Sequence, residues 1–121
     1  MFNKKQIGDQ GELIAVDLLT SKGYEIIERN WRFSRAEIDI ICKKEDCLVF
    51  VEVKTKAYTY FGQPSESVTP RKSKLLMDAA NEYMKGKQYA WRFRFDIIGI
   101  LMKDEKVYKI DHFEDAFFSE W

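Results

Sequence analysis

Residues 36–56 read AEIDIICKKEDCLVFVEVKTK, and the fold turns on how this stretch pairs with itself. Residues 47–56 carry Leu48, Val49, Phe50, Val51 and Val53, apolar on both faces, as suits a central strand of a covered sheet. Residues 36–43 alternate well enough to be its neighbour. A tight turn centred on Glu45 and Asp46 pairs residues whose numbers sum to 91, which sets Asp39 opposite Glu52 and Glu37 opposite Lys54. Glu-Asp is not a preferred two-residue turn, and a three-residue loop would shift that register by one. Side chains alternate along a strand, so Glu52 and Lys54 share a face with Phe50 and Leu48, and Asp39 and Glu37 share one with Ile41. Two carboxylates and a lysine therefore gather at one end of an apolar strand.

That gathering has a cost. Two opposed carboxylates about 5 Å apart repel by roughly 3 kcal/mol at an effective dielectric near 20. A cation, a proton or the nearby lysine must offset it. A hard divalent cation fits, since magnesium is commonly held by one or two carboxylates and keeps its waters for substrate phosphate. A lysine beside it can orient or deprotonate an attacking water, or hold the phosphate. The plainer alternative is a set of strand-end salt bridges at a sheet edge. Glu12 shares a helix face with Gly8, Ala15, Val16 and Leu19, so it either points into a cleft or is an ordinary exposed helix glutamate.

Working outward, residues 4–21 read as an amphipathic helix with Ile7, Gly11, Ile14 and Leu18 at helical spacing, ended by Gly23. Strands follow at 24–31, 36–43 and 47–56. A loop with Gly62 and Pro64 leads to Thr69-Pro70, a good N-cap and first helical residue for a helix to about residue 85. Strands are expected at 91–101, with Phe93, Phe95 and Ile97 on one face, and at 107–110. An aromatic tail ending in Trp121 is expected to pack as a cap. The order predicts an α/β or α+β fold with two helices covering a mixed sheet, one domain over residues 1–121.

Composition removes several chemistries. The 121 residues hold one histidine, His112, and two cysteines, Cys42 and Cys47, too few for a four-ligand zinc site. The cysteines flank the turn without facing each other, so no disulfide is expected. No GxGxxG or Walker sequence occurs. No apolar run is long enough for a membrane span and the first dozen residues lack a secretory leader, so a cytoplasmic location is expected. Net charge is zero but unevenly spread. Residues 54–94 hold nine basic and three acidic side chains, so this segment can face phosphate or be a solvated helix face. Arg71, Lys72 and Lys74 at a helix start suit phosphate contact. Tyr58, Tyr60 and Phe61 are candidates for stacking on bases. Arg92 and Arg94 share a face with Asp96, and an ion pair with Asp96 is favoured over phosphate contact.

Asp39, followed by Glu52-Val53-Lys54 at the end of a hydrophobic strand, resembles the PD-(D/E)xK signature of restriction-endonuclease-like nucleases. More closely, the stretches GDQGELIAVDLLTSKGYEIIERNWR, AEIDII, LVFVEVKTK, FGQPSESVTPRKSKLLMDAANEYM and RFRFDIIGI resemble, in order and over nearly the full length, the YraN family of small bacterial proteins, related to archaeal Holliday-junction resolvases. The resemblance implies a restriction-endonuclease-like αβββαβ core with its site between the first helix and the second and third strands. It implies Mg2+ or Mn2+ held by Asp39, Glu52 and the Val53 carbonyl, with Glu12 joining, and Lys54 as the catalytic lysine. Ile38 replaces the proline of the signature's name, Ala36 a usual glycine and Lys56 a usual arginine; no acidic ligand is lost. The expected function is a metal-dependent endonuclease hydrolysing DNA phosphodiester bonds at branched or flapped structures. The alternative is a non-catalytic nucleic-acid-binding or interaction protein of the same fold. Lys56, Arg71, Lys72 and Lys74 are the expected nucleic-acid contacts. The expected partners are nucleic acid, DNA foremost, and a second copy of the chain in a homodimer, with no membrane.

Overall fold

A computed structural model describes residues 3–57 and 70–116. Helix α1 (Lys4–Ser21) begins with a reciprocal cap: Gln6 N–H donates to Asn3 Oδ1 at 2.8 Å and Asn3 N–H donates to Gln6 Oε1 at 3.0 Å. It ends as expected at Gly23, whose φ of +90° lets the Tyr24 N–H reach the Leu19 carbonyl and its own N–H reach that of Thr20. Three strands follow, β1 (Glu25–Phe33), β2 (Ala36–Lys44) and β3 (Cys47–Ala57), then α2 (Pro70–Gly86), β4 (Arg92–Lys103) and β5 (Lys106–Phe113). The expected cap at Thr69, the loop aromatics Tyr58, Tyr60 and Phe61, and the tail to Trp121 lie outside the described residues.

The five strands lie side by side in sequence order. All neighbours are antiparallel except β3 and β4, which run parallel because α2 carries the chain back across the sheet. This is the expected αβββαβ order and mixed sheet, with β5 added at the far edge. The two-faced character of β3 is explained by a helix on each side. Phe50, Ile41, Phe95 and Ile97 pack under Leu76, Ala79, Ala80 and Tyr83 of α2. Val49, Val51, Ile40, Ile98 and Ile100 pack under Ala15 and Leu19 of α1. The line of full burial on α1 runs through Gly11, Ala15 and Leu19, while Ile7, Ile14 and Leu18 are half-buried flanks. No described helix is long and apolar enough to cross a membrane.

The register summing to 91 holds from Lys44↔Cys47 to Ile40↔Val51, and there the pairing stops. Asp39 and Glu52, and Glu37 and Lys54, are not ladder partners. Ile38 packs on the α2 side and Ile40 on the α1 side, so β2 changes face around Asp39. Asn30, with φ of +54°, stands across from Asp39 between Arg29↔Ile40 and Trp31↔Ile38, while the register shift of this ladder falls earlier, between Ile26 and Glu28. The strands part where the two acids would otherwise have been forced into direct opposition.

Candidate active site

Parting β2 from β3 frees backbone groups that need partners. Asp39 supplies one: its Oδ2 accepts the Val53 N–H at 2.8 Å. Both Asp39 and Glu52 are only 8% exposed. Lys54 Nζ and Lys72 Nζ each lie 3.7 Å from the same oxygen, Glu52 Oε1. The other oxygen, Glu52 Oε2, is buried with no hydrogen-bond partner among the described residues. A buried acceptor left open is costly to the fold.

The electrostatics follow from that crowding. Burial, and then the Glu52 charge, push the Asp39 carboxyl up to about 8, against the pull of the Val53 N–H. Burial lowers the affinity of Lys54 for its proton, and Lys72 lowers it further, against the attraction of Glu52. Burial also raises Glu12, although Arg29 Nη2 sits 3.3 Å from its Oε1.

A cavity of about 500 Å³ opens beside the pair, walled by Gly8 and Glu12 of α1 and by Asp39, Glu52, Val53, Lys54 and Lys56. Thus Glu12, Asp39, Glu52, Val53, Lys54 and Lys56 line one space. Glu12 can stand there because α1 approaches β3 at Gly11, where a Cβ would overlap Thr55 Oγ1. Its carboxylate is engaged with Arg29, however, and no group of three His, Cys, Asp or Glu side chains poised for a metal exists among the described residues. Glu37 turns away to Arg32 Nε at 2.9 Å.

The three basic residues at the start of α2 separate. Arg71 is exposed, and Lys74 pairs along the helix with Asp78 at 3.1 Å. Lys72 turns into the acidic centre, which the sequence reading missed. The signal was its i, i+4 and i, i+7 spacing to Leu76 and Ala79, residues of the buried face.

Elsewhere, Arg94 pairs with Asp96 at 2.9 Å as expected, while Arg92 pairs with Asp46 at 3.7 Å. His112, which the sequence left without a role, also contacts Asp96, Nε2 to Oδ2 at 2.7 Å. Cys42 and Cys47 are free and buried, and burial pushes the Cys42 thiol up to about 12, far from a reactive thiolate.

The structure of Pyrococcus furiosus SfsA in complex with Ca2+ aligns over 94% of this chain and 64% of its own, with a TM-score of 0.35 and 13% identity, too remote to carry weight. Sequence relatives are much nearer. A UPF0102 protein of Flavobacterium psychrophilum is 48% identical over 118 residues, 98% of each chain. One from Chlorobium phaeobacteroides is 48% identical over 94% of each, and one from Christiangramia forsetii 41% over 98%. The family described as "Uncharacterised protein family UPF0102" matches residues 11–100. The YraN-like resemblance thus holds at the level of the family, and this chain belongs to UPF0102.

Proposed function

We propose that this protein is a divalent-cation-dependent endonuclease that hydrolyses phosphodiester bonds in DNA, with branched or flapped structures as its preferred substrates. The observation that carries the reading is the unpartnered Glu52 Oε2 beside Asp39, with Lys54 at the same carboxylate. A hard cation taking two carboxylate oxygens and a backbone carbonyl, and keeping its waters, fits this donor set. Asp39, Glu52 and the Val53 carbonyl would hold Mg2+ or Mn2+, with Glu12 reaching it through solvent. When bound, the cation would neutralise the acid pair and polarise the phosphoryl oxygen.

The chain's own groups do the rest. Lys54, whose ammonium form burial disfavours, is suited to orient the attacking water and take its proton. The water oxygen forms a bond to phosphorus and gives its proton to Lys54, the bond to the leaving oxygen breaks with its electron pair, and that oxygen takes a proton from solvent water, giving a phosphomonoester and an alcohol. Lys56 on the cavity wall, and Arg71 and Lys74 outside it, provide charge along the backbone.

The test is paired. Calorimetric titration with Mn2+ should give binding by the wild type that Asp39→Asn loses. Labelled linear, flapped and four-way DNA should be cut by the wild type, but not by Lys54→Ala or Glu52→Ala, with DNA binding retained. Equal Mn2+ binding by wild type and Asp39→Asn removes the metal site; equal trace cleavage by all proteins removes the enzyme. A non-catalytic DNA-binding module is the second reading, favoured by the Arg29 pairing of Glu12, which leaves two acids rather than three at the centre.

A further inference from the structure

Two ammonium groups crowd one oxygen of Glu52. Lys54 Nζ and Lys72 Nζ both lie 3.7 Å from Oε1, while Oε2 is buried without a hydrogen-bond partner among the described residues. The lysines come from different elements, Lys54 from β3 and Lys72 from the first turn of α2. Burial and then the neighbouring Lys72 lower the affinity of Lys54 for its proton, so the two groups feel each other as like charges.

A divalent cation carries the charge of both ammonium groups together. In its absence the lysine pair already supplies that charge to the carboxylate. A cation taken up at Oε2 would add two positive charges beside two others, and one ammonium group must yield. The structure singles out Lys72. Its side chain is 35% exposed against 18% for Lys54, and it reaches Glu52 on a flexible stem from a helix rather than from the strand that carries the carboxylate. Lys72 also lines a space of about 250 Å³ whose walls include the Glu37 carboxylate, and Lys54 is absent from those walls. A displaced Lys72 has both room and a second acid to turn to.

Resting on the cation-dependent reading of the site, we infer that Lys72 is an exchangeable counter-ion, which holds Glu52 while the divalent cation is absent and gives way when it binds. Its charge thereby sets how readily the site loads, and Lys72 is neither a ligand nor the residue that acts on the attacking water.

The experiment is calorimetric titration of the full chain with Mn2+ at fixed pH and ionic strength. Lys72→Met removes the charge and keeps most of the stem, and it should bind Mn2+ about tenfold more tightly than wild type. Lys72→Arg, which keeps the charge, should stay within about twofold of wild type, as should Lys85→Ala, which removes an exposed charge from the far end of the same helix. Adding Asp39→Asn to Lys72→Met should abolish the tightened binding, which assigns it to the acid pair. A second neutral variant, Lys72→Gln, should repeat the gain, and cooperative thermal unfolding of both neutral variants excludes misfolding. Weaker binding by the neutral variants means that Lys72 holds Glu52 in shape for the cation and overturns the inference, as does unchanged affinity; wild-type binding then leaves the cation reading standing. Equal tightening by Lys85→Ala reduces the effect to net charge and also overturns the inference, as does tightened binding that survives Asp39→Asn. Absence of Mn2+ binding from the wild type and every variant overturns both readings.

Discussion

Asp96 of β4 and Asp39 of β2 are buried carboxylates a few strands apart, and their surroundings differ in every respect. Asp96 is fully enclosed, and both its oxygens are satisfied. Arg94 Nε donates to Oδ1 at 2.9 Å and the Asp115 N–H at 3.0 Å, while Arg94 Nη2 and His112 Nε2 donate to Oδ2 at 3.1 and 2.7 Å. Burial pushes this carboxyl up, yet the hydrogen bonds from His112, Arg94 and Asp115 outweigh it and hold it below the usual range. Around it, Arg94 also donates to the Tyr24 hydroxyl at 2.5 Å, and Lys22 Nζ lies 2.8 Å from His112 Nδ1, joining α1, β1, β4 and β5. Asp39 accepts one backbone N–H, faces another acid, and rises to about 8. A buried carboxyl with every lone pair matched keeps its charge, whereas one crowded by a second acid holds on to its proton.

The largest effect should come from breaking the satisfied site. Asp96→Ala strands Arg94 and His112 and should cost about 3–5 kcal/mol in urea unfolding. A loss under about 1 kcal/mol would collapse the distinction between the two sites. On the other side, packing rather than charge holds the acid pair in place. Gly11→Ala should cost about 2 kcal/mol by forcing α1 off Thr55, and it should disturb any Mn2+ binding that wild type shows, with Thr55→Ala partly restoring both.

Asp39→Asn should act in the opposite sense, stabilising by about 1–2 kcal/mol above pH 8. Native Asp39 keeps its proton up to about pH 8 while the unfolded residue releases it near 3.8, so wild-type stability falls as pH rises through that window. The advantage of Asn should therefore grow from about pH 4 to 8 and then level off. Asp96, with its lowered value, gives the reverse slope: its contribution is present above the ordinary carboxylate range and is lost as pH falls through it. Denaturation curves of both variants across pH would expose either sign. Lys54→Ala should be the smallest change, within about 1 kcal/mol of wild type, because Lys72 remains at Glu52 Oε1. A cooperative unfolding transition well below that of wild type would mean that Lys54 serves the fold.

Legibility in the sequence followed the range of the interaction. The β2–β3 hairpin, its register as far as Ile40↔Val51, the helix end at Gly23 and the gathering of Asp39, Glu52 and Lys54 are local, and periodicity and turn residues expose them. The parting of the strands at Asp39 was hidden, because it follows from two acids meeting at one depth and from the change of face of β2 around Asp39. Arg29 on Glu12, 17 residues away, and His112 on Asp96, 16 residues away, are chosen by tertiary packing, and no spacing rule encodes them. Lys72 lay between these cases: its helical face was readable, but not which strand end that face would meet.

The parallel pairing of β3 with β4 carries a consequence for how the molecule is built. Each pair in that ladder, from Cys47↔Arg92 to Ala57↔Met102, joins residues 45 positions apart, whereas β1, β2 and β3 meet through short turns. Loop closure over such a distance is paid before any contact rewards it, so the meander should form early and the β3–β4 seam late. Asp39, Glu52 and Lys54 belong to the meander, while Lys72, Arg94 and Asp96 come with α2 and β4. During refolding the acids are therefore assembled before their second lysine and before the fastening at Asp96. Stopped-flow refolding should accordingly show a probe placed at Glu45, in the turn between β2 and β3, reaching a native-like environment ahead of probes placed on β4.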